Sequence, residues 1–342
     1  MIVSYERGEL GAPPAAGAVV SIGVFDGVHL GHQAILRRNV ARARELGAEP
    51  TVVTFRRHPK EVLLGRAPRT LTTLAHRLEL FRRAGIEHAL VLSFDEDLRR
   101  TPAEDFARAT LIESLGATAF VLGFDSKFGR DRRGTPEVLR GMGCDVEVVP
   151  EVIVAGRAVS STAIREAVEL GDLDGAERML GRRAAVYGEV VRGDGLGRRL
   201  GWPTANLDLH HELHPPPGVY ACLAHRVRPR DVGDVRGTHP AACNIGFRPT
   251  LAGERPAAPV VEAHLIGFGG DLLGEHLELE FVDRIRPEHR FADLEALKAQ
   301  IAADVERARE LLAGAQARRA ERPAAVDPPE GPGHHLSPSA GG

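Results

Sequence analysis

The stretch Gly23-Val24-Phe25-Asp26-Gly27-Val28-His29-Leu30-Gly31-His32 decides how the first half of the chain is read. An apolar run, Val19 to Phe25, leads into it, and an amphipathic segment, Gln33 to Leu46 closed by Gly47, leads out. The pattern places it where a strand feeds a helix. Free backbone N–H groups and the helix dipole attract anions at such a junction, and Gly27 and Gly31 let a phosphate approach the main chain. His29 and His32, three residues apart, project from one helical face. Together they can stabilise charge on a triphosphate without a lysine. Half of a zinc site is the competing use for such a pair, but no further ligand lies close by at zinc spacing.

Outward from this stretch, short apolar runs alternate with amphipathic segments as far as about Gly181, the pattern of a parallel sheet covered by helices. Strands are expected at Val19 to Phe25, Thr51 to Phe55, Ala89 to Phe94, Ala119 to Gly123 and Val146 to Val149. Thr101-Pro102-Ala103-Glu104 reads as a capping box, and Thr135-Pro136 repeats the pairing of cap and proline. The fold class is therefore α/β, a doubly wound domain over residues 1–183 with its ligands at the carboxyl ends of the strands. After Arg182 the runs become short and β-like, at Ala185 to Val191, Val219 to Leu223, Val260 to Ile266 and Leu277 to Val282, which predicts a small β-barrel or sandwich over 184–313. A last helix, from about Asp293 to Leu312, carries Leu294, Leu297, Ile301, Val305, Ala308 and Leu312 on one stripe and should pack on the barrel. Residues 314–342 read as a disordered tail, and no internal repeat stands out.

Composition narrows the function. The chain has 342 residues and a formal net charge of -3, so nothing steers it toward nucleic acid or a membrane surface. Among 44 basic residues only three are lysines, Lys60, Lys127 and Lys298, and none follows a glycine. A G-x-x-x-x-G-K-[ST] loop is thus excluded, and phosphate must be held by other donors. Cys144, Cys222 and Cys243 are too scattered for a disulfide framework or a cysteine zinc site, and no signal or membrane-spanning run is present, which fits a reducing cytoplasm. The sequence leaves the oligomeric state open, a monomer included.

The opening stretch resembles the H-x-G-H signature of nucleotidyltransferases with a Rossmann-like fold, and in its longer form the prokaryotic bifunctional riboflavin kinase/FMN adenylyltransferase (FAD synthetase) family. Further matches follow in order: Thr54-Phe55-Arg56-Arg57-His58-Pro59, Leu122-Gly123-Phe124-Asp125-Ser126-Lys127-Phe128-Gly129, and Val159-Ser160-Ser161-Thr162-Ala163-Ile164-Arg165. The resemblance implies that adenylate passes from ATP to the FMN phosphate while pyrophosphate leaves, with Mg²⁺. It assigns His29, His32 and Arg165 to catalysis, and Gly23, Phe25, Asp26, Gly27, Gly31, His58, Asp125, Ser161 and Thr162 to nucleotide and flavin binding. Ser161-Thr162 can cap a helix while offering hydroxyls and N–H groups to a phosphate, and Arg165, a turn later, can reach the same anion. Taken alone, that segment reads as a plain N-cap.

The second half carries a glycine-rich loop, Arg192 to Gly201, followed by Trp202-Pro203-Thr204-Ala205-Asn206. Such a loop can wrap a phosphate chain, and alternation places the oxygens of Thr204 and Asn206 on one face, where they suit Mg²⁺. The residues alone leave open a hairpin loop followed by a buried asparagine. Pro203-Thr204-Ala205-Asn206 is similar to the P-T-A-N signature of riboflavin kinases. Pro217-Gly218-Val219-Tyr220-Ala221, Asn244-Ile245-Gly246-Phe247-Arg248-Pro249-Thr250 and Val261-Glu262-Ala263-His264-Leu265 follow. The resemblance implies that Glu262 is the general base for the riboflavin 5′ hydroxyl, that Thr204 and Asn206 hold the metal, and that Gly195, Gly197, Asn244 and Arg248 bind substrate. Departures from the family are Arg57 for a proline, Ser126 for an aromatic residue, Gly267 for an aspartate and Leu273 for a tyrosine. Two alternatives therefore stand beside the bifunctional reading: a kinase with an impaired first domain, and a nucleotidyltransferase with a flavin-sensing barrel.

Overall fold

The computed structural model describes residues 1–209, 212–227, 235–247 and 259–321. Its first half is built on six strands, β1 (Ile2–Tyr5), β2 (Ala18–Ile22), β3 (Glu49–Phe55), β4 (His88–Leu92), β5 (Ala117–Gly123) and β6 (Asp145–Val149), in the order β1-β4-β3-β2-β5-β6. Every neighbouring pair is parallel. Side chains alternate between two helical layers, as on β5, where Phe120 and Leu122 join Phe106 and Leu111 while Ala119 and Val121 face Ala43 of the helix Leu30–Leu46. Buried Asn39 staples that helix to the sheet, donating to the carbonyls of Val19 at 2.9 Å and Thr51 at 3.2 Å. The strand order reverses between β2 and β5, which opens a crevice beyond their carboxyl ends.

A two-residue ribbon, β7 (Ile153–Val154) with β8 (Arg157–Ala158), precedes the helices Ser161–Leu170 and Leu173–Leu180. The second half is a closed antiparallel barrel of β9 (Ala185–Val191), β10 (Ala205–Asp208), β11 (Gly218–Val227), β12 (Val235–Phe247), β13 (Pro259–Leu265) and β14 (His276–Pro287), joined as β10-β13-β12-β11-β14-β9. Tyr220, Cys222, Cys243, Val261, Ala263 and Phe281 fill its interior. The helix Leu294–Glu321 covers part of the outer wall through Val305, Ala308 and Leu312. Closure leaves no free strand edge and selects the barrel over the sandwich.

Several expectations are corrected. The first strand stops at Ile22 rather than Phe25, because Phe25 has a φ of 53° and cannot extend it. Thr101 does not cap the helix that follows: its hydroxyl donates to the Asp97 carbonyl at 2.8 Å, and the helix starts at Ala103 behind Pro102. Thr135 does cap its helix, and Gly47 ends the first one in the left-handed conformation. The last helix runs to Glu321, so 314–321 are helical rather than disordered, and the rest of the expected tail lies outside the described residues. Leu294, expected on the packed stripe, is exposed. β1 and β12 were not anticipated; β12 contains Gly237 and Pro240, which mask a strand signal.

Candidate functional site

The first site lies at the β2–helix junction. Three positions out of four in the left-handed or strained region, Phe25 at 53°, Gly27 at 82° and Val28 at 39°, bend the chain sharply ahead of the helix Leu30–Leu46. A Cβ on Gly27 would stand 2.8 Å from Leu71 Cδ1, so glycine is required by space as well as by φ. His29 is the N-cap of the helix: its Nδ1 accepts from the His32 N–H at 3.3 Å. The two imidazoles stack at 3.6 Å, and Phe25 meets His32 edge-on at 5.2 Å. Because Nδ1 is an acceptor, the neutral His29 ring carries its proton on Nε2. Burial pulls His29 down from its usual 6.5 to about 4, and the facing cations Arg182 and Arg165 outweigh nothing of that, since they act in the same sense while Asp26 opposes. Burial likewise lowers His32 well below its usual value. At neutral pH both rings are therefore uncharged hydrogen-bond donors rather than cations.

Asp26 is turned inward. Its carboxylate accepts from Leu71 N at 2.9 Å and Thr72 N at 3.1 Å and pairs with the Arg165 guanidinium, whose Nε donates to the Arg69 carbonyl at 2.9 Å. Ser160, not Ser161, caps the helix Ser161–Leu170, and the Ser161 hydroxyl donates to the Asp26 carbonyl at 3.0 Å. The Leu71–Thr72 main chain and the Arg165 side chain of the helix Ser161–Leu170 thus converge on one carboxylate, with Thr162 exposed nearby. Half-buried His58 is held below its usual value by burial, and its Nδ1 accepts from Lys60 N at 3.2 Å. Gly23 continues the sheet, donating to the Val53 carbonyl at 3.1 Å, and Gly31 lies against the His29 ring. Asp125 is exposed in a turn closed by Ser126 N to Gly123 O at 3.0 Å, at the carboxyl end of β5. Arg57 points to solvent and pairs with Glu61 at 3.1 Å.

Two residues at this site had no sequence signal. Buried Arg77 donates to the carbonyls of Val24 at 2.6 Å and Phe55 at 3.1 Å, gathering the ends of β2 and β3. Arg182 donates to the carbonyls of Gly27 at 2.8 Å and Val28 at 3.2 Å. Burial lowers both guanidiniums to about 10, which leaves them charged at neutral pH. Each lies far along the chain from the groups it serves, in a sequence where arginine is common.

The second site is on the barrel's outer wall. Strand register sets Asn206 of β10 opposite Glu262 of β13, and Glu262 opposite Asn244 of β12, so the three form one rung. Their neighbours Ala205, Val261, Ala263 and Cys243 point into the core, as alternation requires. His264, on the Glu262 face, binds the Pro203 carbonyl through Nδ1 at 2.8 Å and meets Trp202 edge-on at 5.3 Å. The loop between β9 and β10 folds over this wall: a Cβ on Gly193 would lie 2.2 Å from Asn206 Nδ2, and Gly197 accepts from Trp202 N at 2.8 Å. A cavity of about 420 Å³ under the loop is lined by Gly195, Thr204, Asn206 and Leu273 together with the core residues Ala263 and Leu265, and Glu262 and Asn244 are not among its lining residues. Asn206 Oδ1 is buried and has no hydrogen-bond partner within the protein. A buried oxygen left without a donor costs free energy unless a ligand satisfies it, and neutral oxygens suit a hard cation, so the residues present fit Mg²⁺. Arg248, with Pro249 and Thr250, lies outside the described residues.

The fold is a doubly wound parallel-sheet half followed by a closed barrel, the arrangement of a two-part transferase in the comparisons below. Comparison with known proteins sharpens this. A family model described as FAD synthetase matches residues 12–163, and one described as riboflavin kinase matches 180–312. The chain is 41% identical over 312 residues to the bifunctional riboflavin kinase/FMN adenylyltransferase of Pseudomonas fluorescens, covering 88% of this chain and 95% of the relative. The Escherichia coli (strain K12) protein of the same name is 36% identical, over 89% of this chain and 95% of its own length. The Bacillus subtilis (strain 168) protein is 34% identical, over 86% and 92%. A solved structure described as a macrolide-efflux protein from Streptococcus pneumoniae superposes with a TM-score of 0.75 at 31% identity, covering 90% of this chain and 99% of that one. Among the described residues no helix is long and apolar enough to cross a membrane. The chain belongs to the bifunctional riboflavin kinase/FMN adenylyltransferase family.

Proposed function

We propose that this chain makes flavin nucleotides in two ATP-dependent steps: the barrel phosphorylates riboflavin to FMN, and the parallel-sheet domain adenylylates FMN to FAD with release of pyrophosphate. Family models for both activities match, which favours the bifunctional reading over a lone kinase or a sensing barrel. The observation that carries the residue assignment is the rung Asn206, Glu262, Asn244 beside an unpartnered Asn206 oxygen.

In the kinase step Glu262 takes the proton of the riboflavin 5′ hydroxyl as that oxygen bonds to the ATP γ-phosphorus and ADP departs. Thr204 and Asn206 would hold Mg²⁺, which would supply charge neutralisation to the phosphates, and the Gly193 to Gly197 loop lies ready to cover them. In the adenylyl step an FMN phosphate oxygen attacks the ATP α-phosphorus and pyrophosphate leaves, with no covalent enzyme intermediate. His29 and His32 donate N–H hydrogen bonds to the developing charge from neutral rings, the helix N-termini add their dipoles, and His58 and Asp125 border the flavin side. Arg165 acts from its pairing with Asp26, holding its helix to the Arg69–Thr72 segment. ATP consumption and three free cysteines support a reducing, cytoplasmic setting.

The test is a time course of purified protein with riboflavin, ATP and Mg²⁺, resolving FMN from FAD. Glu262→Ala should cut FMN formation by about 10²–10⁴-fold while sparing adenylylation of supplied FMN, and His29→Ala should do the reverse. Loss of both activities from either change in folded protein would contradict two separate sites.

A further inference from the structure

The segment joining the two domains is fastened on both sides. Gln33 Nε2 donates to the Leu180 carbonyl at 2.7 Å and to the Val28 carbonyl at 2.9 Å, tying the linker's start to the adenylyl loop. Arg183 pairs with Glu280 of β14 at 3.7 Å, and Phe281 N donates to the Ala184 carbonyl at 2.9 Å, tying its end to the barrel. Arg182 stands between these anchors and turns back into the first domain. Its two terminal nitrogens reach the carbonyls of Gly27 and Val28, the residues directly ahead of His29. Val28 is β-branched with a φ of 39°, a conformation that persists only where its surroundings hold it. The Arg182 guanidinium does that holding, and Glu278 and Glu280 of the barrel face its charge.

We propose that Arg182 is a positioning residue for adenylyl transfer: from the interdomain linker it fixes the strained Gly27–Val28 turn and thereby sets His29 against the reacting phosphate. This rests on assigning adenylyl transfer to the His29 pocket. Small misplacements of a positioned group cost rate far more than binding, so the effect belongs in kcat. The charged groups facing His29 are Asp26, Arg165 and Arg182, and His32 stacks on it. Removing one of the two cations therefore eases protonation of His29 as well.

The experiment uses the full chain with supplied FMN and ATP, following pyrophosphate release, with riboflavin phosphorylation as internal control. Arg182→Met should lower the adenylyl kcat about 10-fold or more with KM for ATP changed less than about threefold, and should move the acid limb of the rate profile to higher pH. Kinase activity should stay within about twofold of the parent. Arg182→Lys keeps the charge but not the two-pronged geometry, so it should leave the acid limb in place and recover part of kcat. An Arg182→Met enzyme with unchanged adenylyl kcat and pH profile would overturn the proposal, as would a loss shared equally by both activities. His29→Ala separates the layers. If it leaves adenylyl transfer intact, the site assignment itself is wrong; if it abolishes transfer while Arg182→Met does nothing, only the role of Arg182 falls.

Discussion

His29 combines a helix N-cap with the proposed contact to phosphate, and its sequence position discloses only half of this. The H-x-G-H pattern points to phosphate, and spacing puts both imidazoles on one face. That His29 is also the N-cap, and that burial keeps both rings neutral, follows from packing by Phe25 and from the inward turn of the loop. The pH consequence has a definite sign. A base whose folded pKa is lowered from 6.5 to about 4 favours folding fully above pH 6.5, and that contribution is lost as pH falls toward 4. Thermal unfolding of the full chain should fall by several degrees between pH 6.5 and 4.5, and replacing both histidines by glutamine should flatten that slope. An unchanged slope would mean that other groups dominate acid unfolding. Asp26 belongs to the same scale: its motif marks it for the nucleotide, yet its oxygens serve Leu71, Thr72 and Arg165.

At the scale of elements, β10 is only four residues long, and its value lies in its register. Alternation along Val261 to Leu265 already separates Glu262 and His264 from the apolar side. Which residues stand across from Glu262 depends on pairing with two strands distant in sequence, one of them, β12, hidden by Gly237 and Pro240. The covering loop depends on the same register. Gly193→Ala should force the loop or Asn206 to shift, since the added methyl would overlap the amide at 2.2 Å. We expect kinase kcat/KM to drop by about tenfold or more with adenylylation of supplied FMN intact, as measured by separate assays of each half. Equal kinase rates in parent and variant would show that the loop moves freely away from Asn206.

For the whole molecule, the domains are joined by more than the linker. His76 lies fully buried between Glu278 of β14 at 3.0 Å and Glu212 at 3.5 Å, stacks on Tyr187 at 5.4 Å, and Arg83 reaches Glu278 at 3.0 Å. Glu212 also accepts from Thr73 N at 3.2 Å and Tyr187 N at 2.7 Å, one group from each domain. Burial alone would lower His76, but the hydrogen bonds to Glu212 and Glu278 outweigh it and raise it to about 8. A base raised on folding stabilises fully below its unfolded value of 6.5, and the gain is lost as pH climbs through 8. Calorimetry should therefore show about 1 kcal/mol lost between pH 6.5 and 8, and His76→Gln should remove that dependence while lowering stability at pH 6. A variant with the parent's pH dependence would refute His76 as its source.

The sequence by itself determined the two-part architecture, the residues of both signatures and the side of each strand they occupy, because helix and strand periods and turn chemistry are local. It also excluded a lysine phosphate loop. Only the tertiary structure decided how the groups proposed to replace that lysine are arranged: the stacked imidazoles of His29 and His32, with Arg77 and Arg182 gripping loop carbonyls behind them. It likewise decided that Arg165 answers to Asp26 and that the barrel is clasped to the sheet through His76. Those contacts join residues from tens to about two hundred positions apart, and burial and charge pairing across such distances have no periodicity for a sequence to display.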